Sequence, residues 1–126
     1  MSGLNANSGG GVGFLIKSDL EYEVLESLSN FKNHVFESLF IKIYTNKNDY
    51  ILVGNIYRPN TGPLASIPNT ITYIDQIFGQ INFNKDLNRA TDIFLLGDLN
   101  VNLLDYKNNS MVAKFWIVWF QMVYYL

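Results

Sequence analysis

The chain has 126 residues, 48% of them hydrophobic and 16% charged, with a formal net charge of −2. That is enough for one domain with a core, too apolar for a disordered segment, and too close to neutral for a broad basic surface, so any nucleic acid must be bound in a local groove. With no cysteine and a single histidine, His34, disulfides, a thiolate nucleophile, a cysteine-based zinc site and a histidine-rich metal cluster are all excluded.

Residues 1–8 are polar and uncharged, lack the apolar core of a secretory signal, and read as a flexible N-terminus. The run Gly9-Gly10-Gly11-Val12-Gly13 is not a phosphate loop, because no Gly-Lys-Ser/Thr follows. The dinucleotide spacing fails too, since position 16 is Ile. The glycines lead instead into an apolar strand over residues 12–16, closed by a turn at Lys17-Ser18-Asp19. Tyr22, Val24 and Leu25 predict a second short strand and residues 27–33 a polar connection, with His34 at its end a surface loop residue and not a catalytic one. Residues 35–44 are rich in branched and aromatic side chains and read as a strand. Asn46-Lys47-Asn48-Asp49 is a turn cluster, and residues 50–57 form the next strand, making an antiparallel hairpin. Gly54 within it marks either a bulge or a close backbone approach.

Arg58-Pro59-Asn60-Thr61-Gly62-Pro63 ends that strand in a loop stiffened by its prolines. It reads either as an ordinary Pro/Gly loop or as a rigid holder for an oxyanion. Beyond Pro68, Ile71, Ile74, Ile77, Phe78 and Ile81 fall at helical spacing, with Thr70 or Asn69 as N-cap and an apolar stripe that packs on a sheet. Residues 82–91 form a polar return. The stretch Ile93-Phe94-Leu95-Leu96-Gly97-Asp98-Leu99-Asn100 then reads as a buried central strand ending at a tight turn. While extended geometry persists, Asp98 and Asn100 point the same way, a carboxylate and an amide converging on one pocket. The alternative is that both merely satisfy turn amides. Hairpins, one crossover helix and a further strand indicate a mixed α/β fold. The tail, residues 115–126, is apolar all round and shorter than the roughly 20 residues a membrane-spanning helix needs, so no membrane partner is expected.

Taken together, Gly97-Asp98-Leu99-Asn100, Ile56-Tyr57-Arg58-Pro59-Asn60, the opening Gly10-Gly11-Val12-Gly13-Phe14-Leu15-Ile16 and Phe36-Glu37-Ser38-Leu39-Phe40-Ile41 resemble the endonuclease/exonuclease/phosphatase superfamily. Within it, the likeness is to the apurinic-endonuclease-like domain of non-LTR (LINE-type) retrotransposons. The resemblance implies that residues 9–114 are part of a four-layer α/β sandwich, two mixed β-sheets flanked by helices. It also implies Mg²⁺-dependent phosphodiester cleavage of DNA by an activated water. Asp98 would orient or deprotonate that water, and Asn100 would bind the scissile phosphate. Tyr57 would contact the phosphate or ease departure of the leaving oxygen, and Asn60 would shape the same pocket. These residue types suit the roles: a carboxylate accepts a proton, and amide or phenol donors steady phosphate oxygens. Arg58 either stabilises phosphate charge or pairs on the surface. A reverse transcriptase domain in the parent polyprotein is the implied partner, and the nucleus the place of action.

Two parts of that family's pattern are not found among the 126 residues. One is the Glu-bearing strand that holds the metal, expected upstream of Gly9; the other is the downstream Ser-Asp-His motif. The expectation is therefore a partial domain, inactive alone, with the principal metal ligand missing. Reading residues 115–126 from the third base of each codon forces a pattern compatible with Leu-Asp…Ser-Asn-Gly-Leu-Leu. This resembles the helix and turn after Gly-Asp-x-Asn in the retrotransposon branch, so a frameshift near Lys114 or Phe115 is expected. The alternative function is a non-catalytic remnant or interaction module that keeps only the sandwich core. A phosphatase or sphingomyelinase-like activity within the superfamily is disfavoured by the retrotransposon-like features around Tyr57 and Phe36.

Overall fold

A computed structural model describes residues 11–32, 36–59, 67–110 and 112–114. His34, Asn60, the N-terminal residues 1–10 and the tail 115–126 lie outside the described residues. The fold is mixed α/β: five strands, β1 (Tyr22–Val24), β2 (Asn30–Lys32), β3 (Phe36–Tyr44), β4 (Tyr50–Tyr57) and β5 (Ile93–Asp98), form one sheet, and helix α1 (Ile67–Phe83) links β4 to β5.

The hairpin of β3 and β4 is the centre of this sheet. Its turn is built by Asn46, whose side-chain Oδ1 accepts from the amides of Asn48 and Asp49, both at 2.9 Å, an Asx turn suited to a polar tip. Pairing then runs without interruption from Tyr44↔Tyr50 to Glu37↔Tyr57. No bulge interrupts the ladder at Gly54. The glycine is needed because the Phe40 ring lies across it, and a Cβ there would overlap the ring. Close approach, one of the two readings of Gly54, therefore describes the position, with an aromatic side chain and not backbone as the neighbour.

The other edge of β3 is shared in sequence by β1 and β2, both antiparallel to it. The segment expected to be a plain polar connection thus contains a 3-10 turn (Glu26–Leu28) and a short strand. The interruption between the two strands is stitched to β3 by polar groups. Leu25 N–H donates to the Phe40 carbonyl at 2.8 Å, Phe40 N–H to Ser29 Oγ at 3.2 Å, and Ser38 Oγ to the Leu28 carbonyl at 3.0 Å. Residues 12–16, expected as a strand, have no ladder partner among the described residues; a side chain, Asn55, holds them by donating to the Gly13 carbonyl at 3.0 Å. The turn at 17–20 is closed by Leu20 N–H on the Lys17 carbonyl.

Helix α1 starts earlier than the proposed caps. Asn69 and Thr70 lie inside it, and Thr70 is buried. Pro68 sits in the first turn, where a missing N–H costs no intrahelical bond and the fixed φ suits the helix. The apolar stripe does pack on the sheet: Ile74, Ile77 and Ile81 join Phe36, Phe40, Leu52 and Ile56 in the core, and Tyr73 stacks on Phe36 at 5.1 Å. At the far end of this core Lys42 is buried, its ammonium on Asp86 at 2.9 Å and over the Tyr50 ring at 4.3 Å.

The β4–β5 pairing is parallel, with Leu52↔Ile93 through Tyr57↔Asp98 in register. Among the described residues β5 is the edge of the sheet and not a buried central strand. Phe94 and Leu96 are 49% and 56% exposed. The apolar run Ile93-Phe94-Leu95-Leu96 is therefore buried on the α1 side only. Its other side belongs to a second sheet face, on which Val24, Ile41, Val53 and Phe94 form one cross-strand row.

Candidate active site

The polar residues singled out in the sequence gather where β4 and β5 end. Register places Glu37, Tyr57 and Asp98 in one row across β3, β4 and β5. They alternate with residues of the α1-facing core (Phe36, Ile56), so the row lies on the opposite face of the sheet. With neighbouring strands about 4.8 Å apart, the outer two backbones are separated by about 10 Å, with the phenol between them. Tyr57 and Glu37 are half-buried and Asp98 is exposed.

Directly after Asp98 the extended geometry ends. Gly97 has φ +138°, and a Cβ there would overlap the Ile56 carbonyl, so only glycine fits this close parallel approach. Asn100 adopts φ +47°, a left-handed conformation that Asn tolerates better than most residues. Asp98 Oδ1 accepts from the Asn100 amide at 3.0 Å. Burial still alternates through the turn: Leu99 and Val101 pack against the core, while Asp98, Asn100 and Asn102 are exposed. Asn102 then caps a 3-10 helix (Leu103–Lys107) by accepting from Leu104 N–H at 3.2 Å. The turn-amide reading thus describes one oxygen of Asp98, and leaves its carboxylate at the surface beside Tyr57.

Of the two readings of Arg58, the surface pair is not what the structure shows. It is 7% exposed, and its Nε donates to the Leu99 carbonyl at 2.6 Å while Nη2 donates to the Asn100 carbonyl. Its own backbone N–H donates to the Asp98 carbonyl at 2.9 Å. In return the Asn100 side-chain Nδ2 donates to the Arg58 carbonyl at 2.6 Å. Burial holds the guanidinium below its ordinary pKa, and the charge of Asp98 acts in the opposite direction. Pro59 is buried beside it. Asn100 keeps a second amide N–H and its Oδ1 for other partners.

Asn60 lies outside the described residues, so the structure brings together Tyr57, Arg58, Asp98 and Asn100 of the residues expected at the site. Glu37, expected only as part of a strand, joins Tyr57 and Asp98 in the row. The signal was available: counting outward from the hairpin turn pairs Tyr44 with Tyr50, and the same count pairs Glu37 with Tyr57. The packing of Arg58 on the far loop had no such signal.

Among the described residues no three His, Cys, Asp or Glu side chains come together to hold a metal ion. Mg²⁺ is usually held by one or two carboxylates together with waters and substrate phosphates, and the carboxylates of this row, Glu37 and Asp98, stand on backbones about 10 Å apart with Tyr57 between them. A separate cleft of about 420 Å³, lined by Ser27, Leu28, Gln80, Phe83, Asn84 and Leu87, contains none of the site residues. No described helix is long and apolar enough to cross a membrane. No protein-family model, curated protein or solved structure matches the chain.

Proposed function

We propose that the chain is part of a Mg²⁺-dependent phosphodiesterase domain, a DNA endonuclease of retrotransposon origin, and that it is inactive by itself. The observation that carries this reading is the meeting of Tyr57 and Asp98 as register partners at one end of the sheet, with the Asn100 turn immediately beyond. A surface carboxylate beside a phenol and an amide suits in-line attack of water on a phosphodiester: an acceptor for the water's proton and neutral donors for phosphate oxygens. In this reading Asp98 takes the proton, Asn100 and Tyr57 contact the phosphate, and Asn60 completes the pocket. Mg²⁺ belongs to the proposal by resemblance; among the described residues no three His, Cys, Asp or Glu side chains gather to hold it. The apolar second face of the sheet, with Tyr22, Val24, Phe94 and Leu96 about half exposed, supports the larger architecture of two sheets packed face to face.

The same exposed face favours a second reading, a non-catalytic interaction module that keeps the sandwich core and buries this face against a protein partner. Plasmid nicking separates the two. The 126-residue chain in Mg²⁺ should leave supercoiled DNA intact. The chain extended in frame by its flanking genomic coding sequence should nick it, and Asp98→Ala should abolish the activity. Unrelated flanking coding in all three frames, or an extended chain that leaves the DNA intact, removes the endonuclease reading; nicking that survives Asp98→Ala removes Asp98 from its site. Tight metal-independent protein binding with no DNA binding even at low salt establishes the module instead.

A further inference from the structure

We infer that Arg58 is a positioning residue: its buried guanidinium, bonded to the Leu99 and Asn100 carbonyls, fixes the loop that presents Asp98 and Asn100. The inference deepens the phosphodiesterase reading and rests on it for the purpose of the loop, though not for the clamp itself.

Among the described residues β5 is an edge strand, so beyond Asp98 its backbone has only the β4 side to hold it. Among the described residues the holding bonds on that side involve one residue. Arg58 N–H meets the Asp98 carbonyl, the two side-chain nitrogens meet the next two carbonyls in order, and the Arg58 carbonyl receives the Asn100 amide. Three successive carbonyls, those of Asp98, Leu99 and Asn100, are thus satisfied by a single arginine. A planar guanidinium with donors at fixed separation matches two adjacent carbonyls; a lysine ammonium, a point donor on a flexible stem, does not fix their relative orientation. The left-handed Asn100 follows from this, because its carbonyl must turn back toward Nη2 while its amide N–H reaches Asp98 Oδ1 at 3.0 Å. That last bond fixes one carboxylate oxygen and leaves Oδ2 for a proton or a ligand. Arg58 itself, 7% exposed and aimed at backbone, acts on the site through the loop and not by contact with phosphate.

The test is ¹⁵N NMR on the 126-residue chain, Arg58→Met and Arg58→Lys, with and without a short DNA duplex at low salt. In the unaltered chain the Arg58 Nε–H should exchange slowly and the Asn100 amide should be protected. Arg58→Met should speed Asn100 amide exchange by roughly 25-fold, about fivefold for each of two lost hydrogen bonds, with Phe40 and Leu52 amides unchanged. Arg58→Lys should restore only part of that protection, and DNA-induced shifts at Tyr57 and Asp98 should weaken in the same order. Unchanged Asn100 protection in Arg58→Met overturns the clamp whatever DNA does. If that variant does not fold, an Arg58 Nε–H in the unaltered chain that exchanges as fast as a free arginine's overturns it equally. Loss of loop protection with no DNA-induced shift at Tyr57 or Asp98 in the unaltered chain overturns the phosphodiesterase reading and leaves the clamp standing.

Discussion

Gly97→Ala offers the sharpest single test of how the site is built. Alanine at φ +138° is held in a region L-residues avoid, at a cost of about 1–3 kcal/mol. Its Cβ would also overlap the Ile56 carbonyl, which is backbone and cannot swing aside. Relief requires β5 to move off β4, with the loss of a ladder bond worth about 1 kcal/mol. The sum is about 2–4 kcal/mol, a large share of the total stability of a domain this size, and corresponds to a fall in Tm of roughly 8–16 °C at about 4 °C per kcal/mol. Urea unfolding followed by far-ultraviolet circular dichroism measures it. Gly79→Ala is the control: this glycine is within α1, no neighbour comes within 4 Å of a Cβ there, and alanine should stabilise the helix by up to about 1 kcal/mol. A Gly97→Ala midpoint within about 0.5 kcal/mol of the unaltered chain would refute the close parallel approach.

Gly54→Ala should also destabilise, by about 1–3 kcal/mol, because the obstacle is the fully buried Phe40 ring, which has no free volume to move into; pairing it with Phe40→Leu should recover part of the loss, and strictly additive effects in the double variant would contradict the contact. A third prediction concerns alkaline pH. Burial is the largest influence on Tyr50 and, with the charge of Asp86, raises its pKa. For Lys42 burial acts downward but is outweighed by Asp86, through hydrogen bond and charge, and by Tyr44 and Tyr50, so its pKa is raised as well. Both groups hold their protons more tightly folded than unfolded. Their contribution is therefore fully present below the unfolded values near 10 and is lost as pH rises through the folded ones. Urea midpoints between pH 9 and 11.5 should fall, and less steeply in Tyr50→Phe. That variant should otherwise be neutral or slightly stabilising, since the buried Tyr50 hydroxyl has no hydrogen-bond partner among the described residues. A midpoint that is flat or rising with pH would contradict the cluster.

Local chemistry was enough to place most of the elements. The Asn46 to Asp49 turn lies between two runs of branched and aromatic residues, and that alone defines the hairpin and its register, because the pairing of every later residue follows from the turn. The Ile stripe of α1 announces its buried face by spacing. The start of the helix was less legible, since Asn and Thr favour caps on average, while Pro68 at the first turn was the stronger local signal. Residues 93–96 misled for a definite reason. Four apolar residues in a row look the same whether a strand is covered on both faces or stands at an edge with one face open, and only the neighbours decide. Asp98 and Asn100 were visible as chemistry-bearing residues, yet their alternation held in burial and failed in backbone conformation.

What the sequence by itself determined, then, are the features set by residues near one another: the hairpin, the amphipathic helix, the strand ending in Gly97-Asp98, and the mixed α/β class. Only the tertiary structure decided that Glu37, Tyr57 and Asp98 share a row, that β5 is an edge among the described residues, and that Arg58 donates to the carbonyls of Leu99 and Asn100. These depend on which distant backbone comes alongside β4. An arginine written next to a tyrosine and a proline has the same composition whether it faces solvent, a phosphate or a carbonyl pair; its role follows from what the crossover helix brings to it.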